Sequence, residues 1–73
     1  MPDIEFPLDR EYVELHHLLK LTGLSDSGGA AKMIVGSGAV TVDGAVELRK
    51  TCKIRAGQVV RLGDATIRVV AAP

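Results

Sequence analysis

An α+β domain, with two helices packed on one side of a small, mostly antiparallel β-sheet, is the fold class this sequence predicts. Three observations carry it. Apolar residues recur at the helical period between Leu15 and Thr22, and a second helix-length segment is bracketed by Ser25-Asp26-Ser27 and Gly36-Ser37-Gly38. Beyond Gly38 the period drops to two and turn signals punctuate the chain. At 73 residues, with no repeat, linker or low-complexity tract, the chain reads as one domain over 1–73.

Ile4-Glu5-Phe6 alternates apolar and polar between Pro2 and Pro7, which predicts a short edge strand. Leu15, Leu18, Leu19 and Thr22 stand at i, i+3, i+4 and i+7, predicting a helix near 14–22. Gly23 ends it, because glycine enters the left-handed conformation freely. Tyr12-Val13 reads either as its first turn or as an extended lead-in. Ser25-Asp26-Ser27 offers N-caps for a helix near 27–36, whose apolar side is Ala30, Ala31, Ile34 and Val35. Strands are predicted near 40–42 and 45–47, flanking Asp43-Gly44. That pair is a hairpin signal, since a type I′ turn needs positive φ at both central positions. Ala56-Gly57 marks another turn, and strands near 59–62 and 65–70 flank Gly63-Asp64.

Composition narrows the function classes. Hydrophobic residues are 47% of the chain and charged residues 25%, the balance of a folded globule rather than a disordered tail. No apolar run approaches the ~20 residues of a membrane-spanning helix, and Met1-Pro2-Asp3-Ile4-Glu5 lacks the basic-then-apolar pattern of a signal peptide. Cys52 is the sole cysteine and cannot close an internal disulfide, which fits a reducing compartment and makes the cytoplasm the expected location. His16 and His17 are neighbours on a helix and diverge by about 100°, so they cannot chelate one metal together. No metal, cofactor or small-molecule site is expected. The GxxxxGK phosphate loop is absent, no Ser/His/Asp or Cys/His arrangement can be assembled, and no catalytic residue is predicted.

The net charge is zero, yet its distribution is lopsided. Residues 1–31 carry six acidic and two basic side chains, whereas residues 32–73 carry seven basic and three acidic ones. Such asymmetry points to a charged partner. Four of the seven residues from Arg49 to Arg55 are basic: Arg49, Lys50, Lys53 and Arg55. If the run were a strand, Arg49, Thr51, Lys53 and Arg55 would share one side and Lys50 the other. A solvated, aggregation-resistant edge is the plain account of such a run. Phosphate binding is the better one if Lys20 and Lys32 lie nearby, and the sequence predicts that these six cations converge on one face with most acidic groups elsewhere. Ser27-Gly28-Gly29 opens the second helix, where free N–H groups attract anions. Its glycines would let a phosphate approach the backbone, and would equally let the helix pack closely on its neighbour.

Two nucleic-acid modes are disfavoured. Single-strand readers stack bases on aromatic rings, and the only aromatics, Phe6 and Tyr12, lie in the acidic N-terminal part. The helix–turn–helix outline of 15–37 would need Arg, Asn or Gln on its second helix to read bases, but that helix carries Ser27-Gly28-Gly29-Ala30-Ala31-Lys32-Met33-Ile34. Backbone and shape recognition of folded RNA remains.

The pattern Leu15-x-x-Leu18-Leu19-Lys20, Ser27-Gly28-Gly29-x-Ala31-Lys32, Gly38-x-Val40-x-Val42-Asp43-Gly44, Glu47-x-Arg49 and Lys53-x-x-x-Gly57 resembles the S-four-like RNA-binding domain, in its stand-alone bacterial branch. The resemblance covers roughly 12–62. It implies two helices on a small sheet, with structured RNA bound by the helix pair and the adjoining basic loop. By position it marks Lys20, Ser27, Gly28, Gly29, Lys32, Arg49, Lys50 and Lys53 as contacts. Where many members carry Arg at the starts of the helices, this chain has Glu14 and Ser27-Gly28, which shifts the burden to Lys20, Lys32 and the 49–55 segment, Arg55 included. Ribosomal RNA or tRNA is the partner the resemblance implies. The main alternative is a protein-interaction module docking through its charged faces or a free sheet edge. A third reading is a subunit lending RNA affinity to a separate enzyme.

Overall fold

The computed structural model describes residues 3–73 in the order β1 (Asp3–Leu8), β2 (Val13–Glu14), α1 (Leu15–Leu21), α2 (Gly28–Gly36), β3 (Val40–Val42), β4 (Ala45–Val46), β5 (Lys53–Ile54), β6 (Val59–Leu62) and β7 (Ala65–Ala71). Pro2, taken above as a strand boundary, lies outside the described residues. Both helices sit where the period placed them. Leu15, Leu18 and Leu19 are fully buried, as are Ala31 and Val35 of α2. Gly23 (φ 80) ends α1: its N–H donates to the Lys20 carbonyl and the Leu24 N–H reaches back to that of Leu19. This is the 5→2 and 6→1 pair of a Schellman stop. Ser27 caps α2, its hydroxyl accepting from Ala30 N–H at 3.1 Å, and Gly38 (φ 85) lies just beyond its end.

Five strands form one sheet in the order β1-β7-β6-β3-β4, with only the β1–β7 pair parallel. Strand alternation sorts its faces. Val40, Val60, Ile67 and Val69 are buried against the helices, while Arg61 and Arg68 face outward, exposed. Asp43 (φ 51) and Gly44 (φ 87) make the predicted positive-φ turn, and the Asp43 carboxylate also accepts from Val59 N–H at 2.9 Å, tying the turn to β6. Edge strand β1 is longer than predicted and runs through Pro7. Leu8 C=O accepts from Ala72 N–H, so the backbone of Pro7 points away from β7 and its missing N–H costs no ladder bond.

One expectation is corrected and one ambiguity is resolved. The segment 49–55 is not a strand throughout: Cys52 N–H bonds to the Arg49 carbonyl in a turn, and only Lys53–Ile54 is extended. The alternation proposed for Arg49, Thr51, Lys53 and Arg55 therefore does not apply across the run. The ambiguity at Tyr12-Val13 resolves as extended, because Val13–Glu14 pairs antiparallel with Lys53–Ile54 in a separate two-stranded sheet. Val13 and Ile54 join the main core, so this ribbon is a packed part of the domain.

Candidate nucleic-acid interface

The start of α1 and the loop 47–52 are stitched together. Leu15 N–H donates to the Cys52 carbonyl at 2.9 Å and His16 N–H to that of Lys50 at 3.0 Å. The His16 ring is 2.7 Å from the same Lys50 carbonyl through Nδ1. A carbonyl only accepts, so Nδ1 carries the proton there. Two orphan N–H groups of the first helical turn are thereby satisfied by the loop, which is held against the helix in return.

Glu47 organises the other side of that loop. Its carboxylate accepts from Arg49 N–H (3.0 Å), Nε (3.0 Å) and Nη2 (3.3 Å). These bonds, the Arg49 side chain first, hold the Glu47 carboxyl down to about 2. Burial, followed by the hydrogen bond to Glu47, pushes the half-buried Cys52 thiol up. Arg49 is thus fixed at its inner edge while its side chain stays largely exposed.

Helix α2 faces this loop across an open groove of about 530 Å³. Lys32, Met33 and Gly36 line it from the helix, and Leu48, Arg49, Lys50 and Thr51 from the loop. A second concavity, formed by Arg49, Thr51, Cys52 and Lys53, continues it toward β5. Lys32, Arg49, Lys50 and Lys53 are therefore gathered along one surface. Among the described residues, Lys20, Lys32, Lys50 and Lys53 form no ion pair.

The remaining predicted residues are placed less directly. Lys20 is exposed in the last turn of α1, one turn on from His16 and so on the helix face that meets the loop. No contact joins it to the groove. Ser27, Gly28 and Gly29 lie at the start of α2, outside the groove lining, although Gly28 and Gly29 precede Lys32 by one turn on the same face. Close packing does not explain the glycines: a Cβ at Gly28 would meet nothing within 4 Å, and at Gly29 only the Ser27 hydroxyl at 4.0 Å. Arg55 pairs with Glu11 at 3.1 Å. The acidic groups are accordingly not all elsewhere. Glu47 and Glu11 sit within the basic region and engage two of its six cations.

Sequence reasoning missed Tyr12, His16 and the groove walls. Continuing the β2–β5 register sets Tyr12 opposite Arg55, and Lys53 Nζ and Arg55 Cζ lie 5.0 and 5.8 Å from the centre of its ring. An aromatic discounted for its acidic neighbours in sequence therefore stands beside two basic side chains in space. Leu48 and Met33 carried no signal, because an apolar residue's exposure is not written in a short irregular segment.

This arrangement has counterparts among known proteins. Residues 6–70 match the family model for the S4 domain. The chain is 55% identical over 60 residues, 82% of its own length and 86% of the relative's, to the Escherichia coli (strain K12) protein named "Putative RNA-binding protein YbcJ". The match to "Uncharacterized protein YbcJ" of Shigella flexneri has the same identity and extent, 55% over 60 residues. The solution structure of Escherichia coli YbcJ is similar at a TM-score of 0.67 and 46% identity, covering 97% of this chain and 89% of that one; it is described as revealing an alfaL motif involved in RNA-binding. The fold class and the family resemblance read from the residues are both upheld by these matches. The chain belongs to the S4 domain family.

Proposed function

We propose that this protein binds structured RNA through phosphate and shape contacts, without catalysing a reaction, in the cytoplasm. The observation that carries the reading is the groove, where Lys32 from α2 meets Arg49 and Lys50 from a loop clamped by Glu47 and His16, with Lys53 in continuation. Cations brought together from distant parts of the chain and left largely without acidic partners suit a polyanion. The names given to the YbcJ relatives support the same class of partner. Lys32, Lys50, Lys53 and Arg49 are the phosphate contacts at the centre of the proposed site. Lys20 and the free N–H groups around Ser27, Gly28 and Gly29 extend it along the two helices, and Arg55 contributes less because Glu11 already engages it. Ribosomal RNA and tRNA, which combine duplex and irregular shape, are the proposed targets.

The test is an affinity titration of a folded RNA hairpin over a range of salt. The expected log–log slope is about −3, from four phosphate contacts at about 0.7–0.9 each. A protein-docking reading draws on a specific feature, the outer edge of the sheet at β4, where Ala45 and Val46 are both exposed. Absence of RNA binding at low salt would favour that reading instead.

A further inference from the structure

The groove is more than a track for phosphates. Met33 and Leu48 face solvent with 78% and 60% of their surface exposed, on its helix and loop sides respectively. Neither is a loose end. Met33 lies within α2, and Leu48 stands between Glu47, whose N–H bonds to Val40, and Arg49, whose N–H bonds to Glu47. Gly36 leaves the helix side bare: a Cβ there would meet nothing within 4 Å. Lys32, Arg49 and Lys50 border this apolar strip.

An occupant that satisfies both chemistries needs an apolar body between two anionic flanks. A nucleotide has that form, with a base between successive phosphates, and a thioether packs favourably on an aromatic ring. A base within a continuous duplex cannot reach the groove without the cost of unstacking, which is least for a base already unpaired. Resting on the RNA-binding reading above, we propose that the groove takes one unstacked nucleotide, its base between Met33 and Leu48 and its flanking phosphates on Lys32 and Lys50. The RNA class recognised is then a helix interrupted by an unpaired nucleotide. Helix and loop supply shape and charge here, so the preference is for the interruption and is indifferent to the identity of the base.

Fluorescence anisotropy with three labelled hairpins tests this: a continuous stem, the same stem with a one-nucleotide bulge, and the same bulge made abasic. The full chain is compared with Met33→Ser/Leu48→Ser and with Gly36→Gln. The serines replace exposed side chains, and Gln suits a helix better than Gly while obstructing the groove. The unaltered protein is expected to bind the bulged stem about tenfold tighter than the continuous one, the effect of burying roughly 55 Å² of apolar surface. Making the bulge abasic should abolish the preference. Both variants should lose the discrimination, binding the bulged and the continuous stem alike. Equal binding of bulged and continuous stems would overturn the proposal while leaving the phosphate reading intact. A preference that survives in the abasic stem, or in both variants, would also overturn it, since the groove would then be reading a kink or nothing. Failure to bind any stem at low salt would remove the reading beneath it.

Discussion

Removing one unpaired ammonium from the groove should change both affinity and its salt dependence by calculable amounts. Lys32, Lys50 and Lys53 make no ion pair among the described residues, and Arg49, though tied to Glu47, keeps 76% of its side chain exposed. Three unpaired ammonium groups and an Arg49 whose charge Glu47 partly offsets are therefore available, at most four phosphate contacts. At about 0.7–0.9 per contact they give a slope near −3, and an affinity that falls roughly sixtyfold between about 50 and 200 mM salt. Replacing Lys32 by Ala removes one contact. The slope should flatten by about 0.7–0.9, and at about 0.1 M salt binding should weaken about five- to eightfold. Lys32 is exposed in α2, and Ala is the better helix former, so the variant should fold at least as well. Lys53→Ala should behave alike. Arg55→Ala should flatten the slope by less than half as much, because Glu11 lies 3.1 Å from that guanidinium and already offsets its charge. The assay is anisotropy against one hairpin and a scrambled hairpin of equal shape, both of which should bind almost equally. Unchanged slopes in Lys32→Ala and Lys53→Ala together would refute the assignment of the groove.

Other consequences follow from the loop and the core. The Glu47 carboxyl, held down to about 2 by Arg49, keeps its clasp at all pH values above its ordinary range near 4.5. The clasp's contribution is lost only as pH falls toward about 2, so a Glu47 carboxyl NMR titration should have its midpoint there; a midpoint near 4.5 would refute the clasp. The Cys52 thiol, raised by burial and by Glu47, should react with a disulfide reagent at pH 8 more slowly than free cysteine, and Glu47→Gln should speed it. Asp43→Ala should cost about 1–2 kcal/mol in urea unfolding, from lost hydrogen bonds to Val59 and Gln58 and an alanine held at positive φ. Asp43→Asn should cost much less. Leu18→Ala, at a fully buried site, should cost about 2–5 kcal/mol, enough to leave a domain this small largely unfolded at 37 °C.

The parts of the fold that were legible in the sequence are those whose signal is local. The leucine stripe of α1, the Ser27 cap and the Asp43-Gly44 turn each act within a few residues, and each sits where the pattern placed it. The β2–β5 ribbon was not legible, because two residues per strand give no period to detect and the partners are some forty positions apart. That one omission had a large effect on the site. Without the ribbon, 49–55 reads as a single extended run, Tyr12 is assigned to an acidic neighbourhood, and the clamp from His16 to Lys50 has no reason to exist. With it, the chain crosses the start of α1, turns at Lys50-Thr51, and carries Lys53 back beside Tyr12. Counting charges by chain halves found the basic region because most of its cations lie in the second half. The same count could not see Glu47 fixing Arg49 or Glu11 engaging Arg55, since those pairings depend on the loop's path. Which cations are free is a property of the ribbon and the loop together, and that freedom decides how many phosphates the surface can hold.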